Sequence, residues 1–133
     1  MLNLEIVTPE KKVLSEAVET VTVPTTNGEI GILTDHAPLI STLKSGVLSY
    51  TGGGATEKMA VSGGFVEVSG NNVSILADVA ERADEIDVEA AQREQETAEK
   101  NLDVWKEGSE KEFETERERL ERAQARLQLA SGK

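Results

Sequence analysis

Over roughly the first eighty residues apolar and polar positions alternate with a period of two, and beyond Ala83 they recur at steps of three and four. The first spacing is that of half-buried strands and the second that of amphipathic helices. Leu2, Leu4 and Ile6 fall on one face of a first strand, with Asn3 and Glu5 opposite. Thr8-Pro9-Glu10 turns the chain. Ala17, Val21 and Val23 alternate with Thr20 and Thr22 in a β-branched run, with Val18 out of phase, as a bulge or burial on both sides would make it. Asn27-Gly28, Lys44-Ser45-Gly46, Gly52-Gly53-Gly54 and Gly70-Asn71-Asn72 are turn signals. Between them Met59 with Val61, Val66 with Val68, and Val73, Ile75, Ala77 and Val79 keep the alternation. About eight to ten short strands at such spacing predict an antiparallel β-sandwich or flattened barrel.

The second pattern starts at Asp84-Glu85-Ile86-Asp87, where Asp87 is placed to cap a helix. Val88, Ala91, Gln95, Ala98, Leu102 and Trp105 then form a heptad-like seam. Gly108 breaks it, and Ser109 with Glu112 has the spacing of a capping box. A second seam runs through Phe113, Glu116, Leu120, Ala123, Leu127 and Ala130. The prediction is an antiparallel two-helix hairpin. Its seams are thin and rich in alanine, so the hairpin gains little from its own packing against the cost of ordering it. It is built to be helical and weakly committed to one partner surface. The chain divides at about residue 84: a sandwich over 1–84 and a helical hairpin over 85–133.

One stretch of the sandwich stands apart. Gly28 to Leu39 carries two glycines, Pro38 and the only histidine, His36. Proline fixes its own φ and pushes Ala37 toward extended geometry. The stretch reads as a shaped loop that displays Thr34, Asp35 and His36 between the apolar anchors Ile30, Ile32 and Leu33 and Leu39 and Ile40. Loops of this kind often carry function.

Charge and composition narrow what that function is. The formal net charge is −11, which disfavours nucleic acid as a partner. No cysteine is present, so disulfides, thiolate catalysis and cysteine zinc sites are excluded. No apolar run approaches the roughly 18 residues of a membrane span, and the first residues do not read as a signal or transit peptide. Direct membrane insertion is therefore not expected. Catalysis is not expected either. A single histidine cannot form a histidine metal cluster, and Asp35 and His36, adjacent on an extended chain, point apart. Ser62-Gly63-Gly64 lacks the flanks of a nucleophile elbow and reads as a bend that lets two backbones approach closely. The second helix carries Arg117, Arg119, Arg122 and Arg126. One reading is dipole complementarity with i,i+4 pairs such as Glu118–Arg122; the other is a basic stripe for an acidic partner or a phosphate. Trp105 is either a seam anchor or an anchor on a partner.

Three segments, in order and at matching spacing, carry a resemblance: Gly28-Glu29-Ile30-Gly31-Ile32-Leu33 with His36-Ala37-Pro38-Leu39; Ala60-Val61-Ser62-Gly63-Gly64-Phe65-Val66-Glu67-Val68; and Val73-Ser74-Ile75-Leu76-Ala77. With them the chain resembles, over essentially its whole length, the epsilon-subunit family of F-type ATP synthases, which includes the chloroplast epsilon and mitochondrial delta subunits. The resemblance implies a ten-stranded sandwich and a helical hairpin in the rotating central stalk. It implies a non-catalytic subunit whose sandwich binds the gamma subunit and rests on the membrane ring of c subunits, coupling proton or sodium flow to ATP synthesis. It places such a subunit peripherally on the cytoplasmic face of the bacterial inner membrane. The hairpin would either fold on the sandwich or extend into the alpha/beta catalytic head and inhibit ATP hydrolysis.

Carried over by position, Glu29 and His36, with Thr34 and Asp35 between them, match loop positions facing the c ring. Arg117, Arg119, Arg122 and Arg126 match the helix that contacts acidic residues of the catalytic beta subunits. Some relatives also bind ATP between sandwich and hairpin, and Glu81, Ile86, Asp87, Arg122 and Arg126 match that site. Ala90 stands where its motif has an arginine, which would remove ~1.5–3 kcal/mol of nucleotide affinity. The resemblance thus implies no cofactor, and ATP as a regulatory ligand bound weakly or not at all. A different class of protein, a free-standing ligand-binding sandwich with a coiled-coil oligomerisation arm, also accounts for the two halves, but not for the loop chemistry.

Overall fold

The computed structural model describes residues 1–103 and 110–131. Ten strands form two five-stranded sheets packed face to face, and two helices follow. Trp105, the break expected at Gly108 and the cap expected at Ser109 lie outside the described residues.

The first sheet has the order β2-β1-β9-β8-β5, from β1 (Leu2–Val7), β2 (Lys12–Val18), β5 (Leu39–Thr42), β8 (Phe65–Ser69) and β9 (Asn72–Leu76). The second has the order β10-β7-β6-β3-β4, from β3 (Thr20–Thr25), β4 (Gly28–Ile32), β6 (Gly46–Gly52), β7 (Ala55–Ser62) and β10 (Val79–Glu81). Every pairing is antiparallel except one: β1 lies parallel to β9, with Leu4 opposite Val73 and Ile6 opposite Ile75. The alternation read from the sequence is the alternation of burial. Leu2, Leu4, Ile6, Met59, Val61, Val66, Val68, Val73 and Ile75 all fill the space between the sheets.

Two expectations fail where the chain changes sheet. Ala17 to Val23 is not one strand. β2 ends at Val18, which is buried while Ala17 is exposed, and β3 begins at Thr20 in the other sheet. Val18 is out of phase because it closes one strand rather than continuing the next. Likewise Val79 does not extend the run from Val73. β9 ends at Leu76, the chain crosses to the second sheet, and Val79 is exposed at the start of β10.

The Gly63–Gly64 bend shows why glycine is required there. Both residues have positive φ, +69° and +90°. A Cβ on Gly64 would lie 1.7 Å from the Leu76 carbonyl oxygen, and one on Gly63 would lie 2.0 Å from Asp78 Oδ2. The bend therefore lets β8 start directly beside the end of β9.

The first helix, α1 (Val88–Asp103), begins at Asp87, whose Oδ1 accepts the Ala90 amide at 3.0 Å. This is the cap the sequence implies. The second helix, α2 (Glu110–Ala130), packs against α1 on one side and on β6 and β7 on the other. A single seam is therefore insufficient for α2. Ala123 is buried as predicted, but so are Ala125 and Leu129, whereas Leu127 is only half-buried. In α1 the buried positions are Ala91 and Ala98, and Val88 is exposed. Alanine at these places removes the bulk that would hold helices apart. The outward face of β6 and β7 carries the small side chains Ser49, Ala60 and Ser62 beside Val47 and Lys58. No helix among the described residues is long and apolar enough to cross a membrane.

Candidate functional site

The Gly28–Leu39 stretch is part strand and part loop. Residues 28–32 are β4, the edge strand of the second sheet, and residues 33–38 cross to β5 at the edge of the first. A tight turn follows. The His36 amide donates to the Leu33 carbonyl at 3.1 Å, and Asp35 has φ +65°, the only non-glycine with positive φ among the described residues. Aspartate tolerates this region better than most residues. The turn is tied to the neighbouring Gly70-Asn71 turn, because the Asp35 amide donates to Asn71 Oδ1 at 2.9 Å. His36 Nδ1 donates to the Ala37 carbonyl at 2.7 Å, so the ring is held by the backbone and not by Asp35.

The structure does not bring all four loop residues together. Glu29 follows the turn joining β3 to β4, where Thr25 pairs with Gly28. Thr34, Asp35 and His36 lie past the other end of β4. A strand of this length spans about 13 Å, so they belong to opposite ends of it. Thr34, Asp35 and Glu29 are exposed and His36 half-buried.

The four arginines of α2 fall into two pairs. Arg117 and Arg119 pair within the helix: Arg117 Nη2 is 2.7 Å from Glu114 Oε2 and Arg119 Nη1 is 3.4 Å from Glu116 Oε1. Arg122 and Arg126 reach out of it. Arg122 pairs with Glu94 of α1, not with Glu118 as i,i+4 spacing suggests. Arg126 Nε lies 2.9 Å from Glu81 Oε1 on β10, and its Nη1 lies 3.7 Å from Glu94 Oε2. Arg126 thus joins the sandwich, α1 and α2 at one point. A looser pair, Lys44 Nζ to Glu121 Oε1 at 3.9 Å, ties α2 to the β5–β6 turn.

Of the residues matched to a nucleotide site, Glu81, Arg122 and Arg126 therefore meet through the hairpin's docking. They meet by neutralising one another and Glu94. Asp87 is engaged as a helix cap, and Ala90 presents a methyl where a guanidinium would be needed. Glu94 escaped the sequence reading because its partners are on another helix, beyond the reach of spacing rules that act within one helix.

A cleft of about 810 Å³ lies beside this contact, between α2 and the sandwich loops that hold Lys44, Gly63 and Asp78. Each of its cations, Lys44, Arg117, Arg119 and Arg122, already faces a carboxylate. Among the described residues no group of histidines, aspartates and glutamates is arranged to hold a metal ion.

The outer face of the first sheet carries exposed apolar side chains beside the exposed Glu67, which stands opposite Ile40. Ile40, Phe65 and Leu76 are 74, 53 and 44% exposed. They lie on the outer face of the first sheet, with Phe65 directly opposite Leu76 and Ile40 diagonal to Phe65. Among the described residues the helix packing on the sandwich is that of α2 on β6 and β7 of the other sheet.

Comparison with known proteins accounts for both halves. Residues 1–83 match the family model of the ATP synthase delta/epsilon chain β-sandwich domain, and residues 84–131 match that of the delta/epsilon chain long α-helix domain. The chain is 56% identical over 101 residues to an ATP synthase epsilon chain of Carboxydothermus hydrogenoformans, covering 76% of this chain and 75% of the relative. It is 49% identical over 106 residues to one of Nitratidesulfovibrio vulgaris, covering 80% and 79%. In a solved structure of the Euglena gracilis mitochondrial ATP synthase, comprising OSCP, F1 and c-ring, one chain superposes with a TM-score of 0.82 at 26% identity, covering 98% of this chain and 81% of that one. A chain of the Tetrahymena thermophila central stalk and c-ring shares the fold, with a TM-score of 0.67 at 16% identity, covering 98% and 94%. The chain belongs to the ATP synthase epsilon chain family, whose members are non-catalytic stalk subunits.

Proposed function

We propose that this subunit couples ion flow to ATP synthesis through its sandwich and restrains ATP hydrolysis through its hairpin. The sandwich binds gamma, and the uncovered apolar strip of Ile40, Phe65 and Leu76 is the surface best suited to it, since such strips mark protein contacts. The polar turns at the ends of β4, with Glu29 on one and Thr34, Asp35 and His36 on the other, are the candidates for the c-ring contact. Attachment through these partners makes the subunit peripheral on the cytoplasmic face of a bacterial plasma membrane.

The observation that carries the regulatory reading is the pairing of all four arginines with the chain's own carboxylates. Docked, the four guanidiniums of α2 all face carboxylates. Released from the sandwich, Arg126 loses Glu81, and separation of the helices frees Arg122 and Arg126 from Glu94. The basic face of α2 then becomes available to acidic residues of the catalytic beta subunits. Small contacts on β6 and β7 and a few ion pairs hold the docked state. A limited docking surface of this kind suits two states separated by a few kcal/mol.

Removing residues 87–133 tests this. The truncated sandwich should stay folded, assemble with gamma and the synthase head, and raise ATP hydrolysis by the assembled enzyme. Unchanged hydrolysis at every ATP concentration would sink the inhibitory role.

A further inference from the structure

We propose that Asn71 is a positioning residue for the c-ring contact, its side chain holding the Leu33–His36 turn in the shape that meets the ring. The turn belongs to residues 33–38, which carry the chain from the edge of one sheet to the edge of the other without strand pairing. Two hydrogen bonds of this segment are local: the His36 amide donates to the Leu33 carbonyl, and His36 Nδ1 to the Ala37 carbonyl. Neither fixes where the turn stands on the sandwich. The Asp35 amide does so by donating to Asn71 Oδ1 at 2.9 Å, across 36 residues of sequence. That bond falls on the residue with φ +65°, a conformation that a non-glycine residue keeps only where its surroundings hold it.

Asn71 is itself firmly placed. With Gly70, at φ +60°, it forms the two-residue turn that closes β8 onto β9, where Ser69 pairs with Asn72. Its carbonyl accepts the Asn3 amide at 2.7 Å, and beside it Asn3 Nδ2 donates to Asn72 Oδ1 at 3.2 Å. Three strands of the first sheet thus hold the acceptor, and one side-chain oxygen passes that position to the loop. The loop displays Leu33, 60% exposed rather than rooted in the core, together with the exposed Thr34 and Asp35. A turn that is already shaped spares a partner the cost of ordering it on binding. The functional part of this rests on the c-ring reading above; the tie itself can be measured without it.

The experiment uses the full chain as wild type, Asn71→Ala, Asn71→Asp and, as a control that leaves Asn71 in place, Asn72→Ala. Exchange of the Asp35 amide is followed by NMR, and the affinity of each chain, in complex with gamma, is measured for the detergent-solubilised c ring. Asn71→Ala keeps the backbone carbonyl that accepts Asn3, so its urea midpoint should match wild type. Its Asp35 amide should exchange about fivefold faster, as loss of one neutral hydrogen bond implies, and its affinity for the ring should fall about as far. Asn71→Asp keeps an acceptor oxygen and should restore both, while Asn72→Ala should change neither. Unchanged exchange in Asn71→Ala overturns the proposal, and so does an equal loss in Asn71→Asp. Faster exchange with unchanged affinity for the ring refutes the c-ring reading of this turn while leaving the Asn71 tie intact, so the two failures are distinguishable.

Discussion

The Arg126 guanidinium stands 2.9 Å from the Glu81 carboxylate, tying the last strand of the sandwich to a helix 45 residues further along. Arg119, by contrast, pairs with Glu116 inside its own helix. Arg126→Ala should therefore weaken hairpin docking by about 1.5–3 kcal/mol, the usual worth of a charged hydrogen bond. Arg119→Ala should change it by no more than about 0.5 kcal/mol. Amide hydrogen exchange of α2 reports the difference. Equal loss of protection in both variants would mean that the Glu81 contact does not hold the hairpin.

Gly64 is the position least able to accept a side chain. Its Cβ would overlap the Leu76 carbonyl in a backbone region with positive φ. Gly64→Ala should destabilise the sandwich by about 2–4 kcal/mol, combining overpacking with backbone strain. Gly53→Ala, at a hairpin tip where a Cβ meets nothing, should cost only about 1 kcal/mol, from backbone strain alone. Urea denaturation of the two variants measures the gap.

Tyr50 makes stability depend on alkaline pH. It is buried in the core, and burial raises its pKa above the ordinary 10 more than the nearby Arg82 lowers it. The folded chain thus keeps the phenolic proton where the unfolded chain has begun to lose it. Above pH 10 the unfolded state binds fewer protons, so the contribution of Tyr50 is intact below that pH and lost as the pH climbs through the folded value. Unfolding free energy should fall as the pH rises above 10, and Tyr50→Phe should flatten the fall. Tyr50 is the only tyrosine, so its ionisation can be followed directly by ultraviolet absorbance.

Calorimetric titration with ATP should give no micromolar binding. Ala90 supplies no donor, Asp87 is occupied as a cap, and Arg122 and Arg126 are paired with Glu94 and Glu81. Saturable micromolar binding would show that the nucleotide displaces these pairs.

The sandwich was legible because its core residues alternate strictly, and a one-residue slip would expose them all. Alternation alone joins Ala17 to Val23 and Val73 to Val79, because it does not record that the chain has crossed to the other sheet. The parallel β1–β9 pair leaves no local signal either, since its partners are about seventy residues apart. On α2 a single seam was visible, but the helix packs on two sides, and Ala125 and Leu129 face the second. Arg122 and Arg126 were legible as residues; their partner Glu94 was not, because only docking of the hairpin brings it to them.

The parallel pairing also sets an order on synthesis. The earliest strand sits between β2 and β9, so its second edge stays open until Leu76 has been made. At about 5–20 residues per second, β1 waits several seconds on the ribosome with that edge unmatched. The second sheet meanwhile completes most of its pairing from strands close in sequence. Closure of the first sheet, with its long loop, is the step expected to limit folding speed. Newly made chains are then most open to edge-to-edge aggregation before β9 emerges.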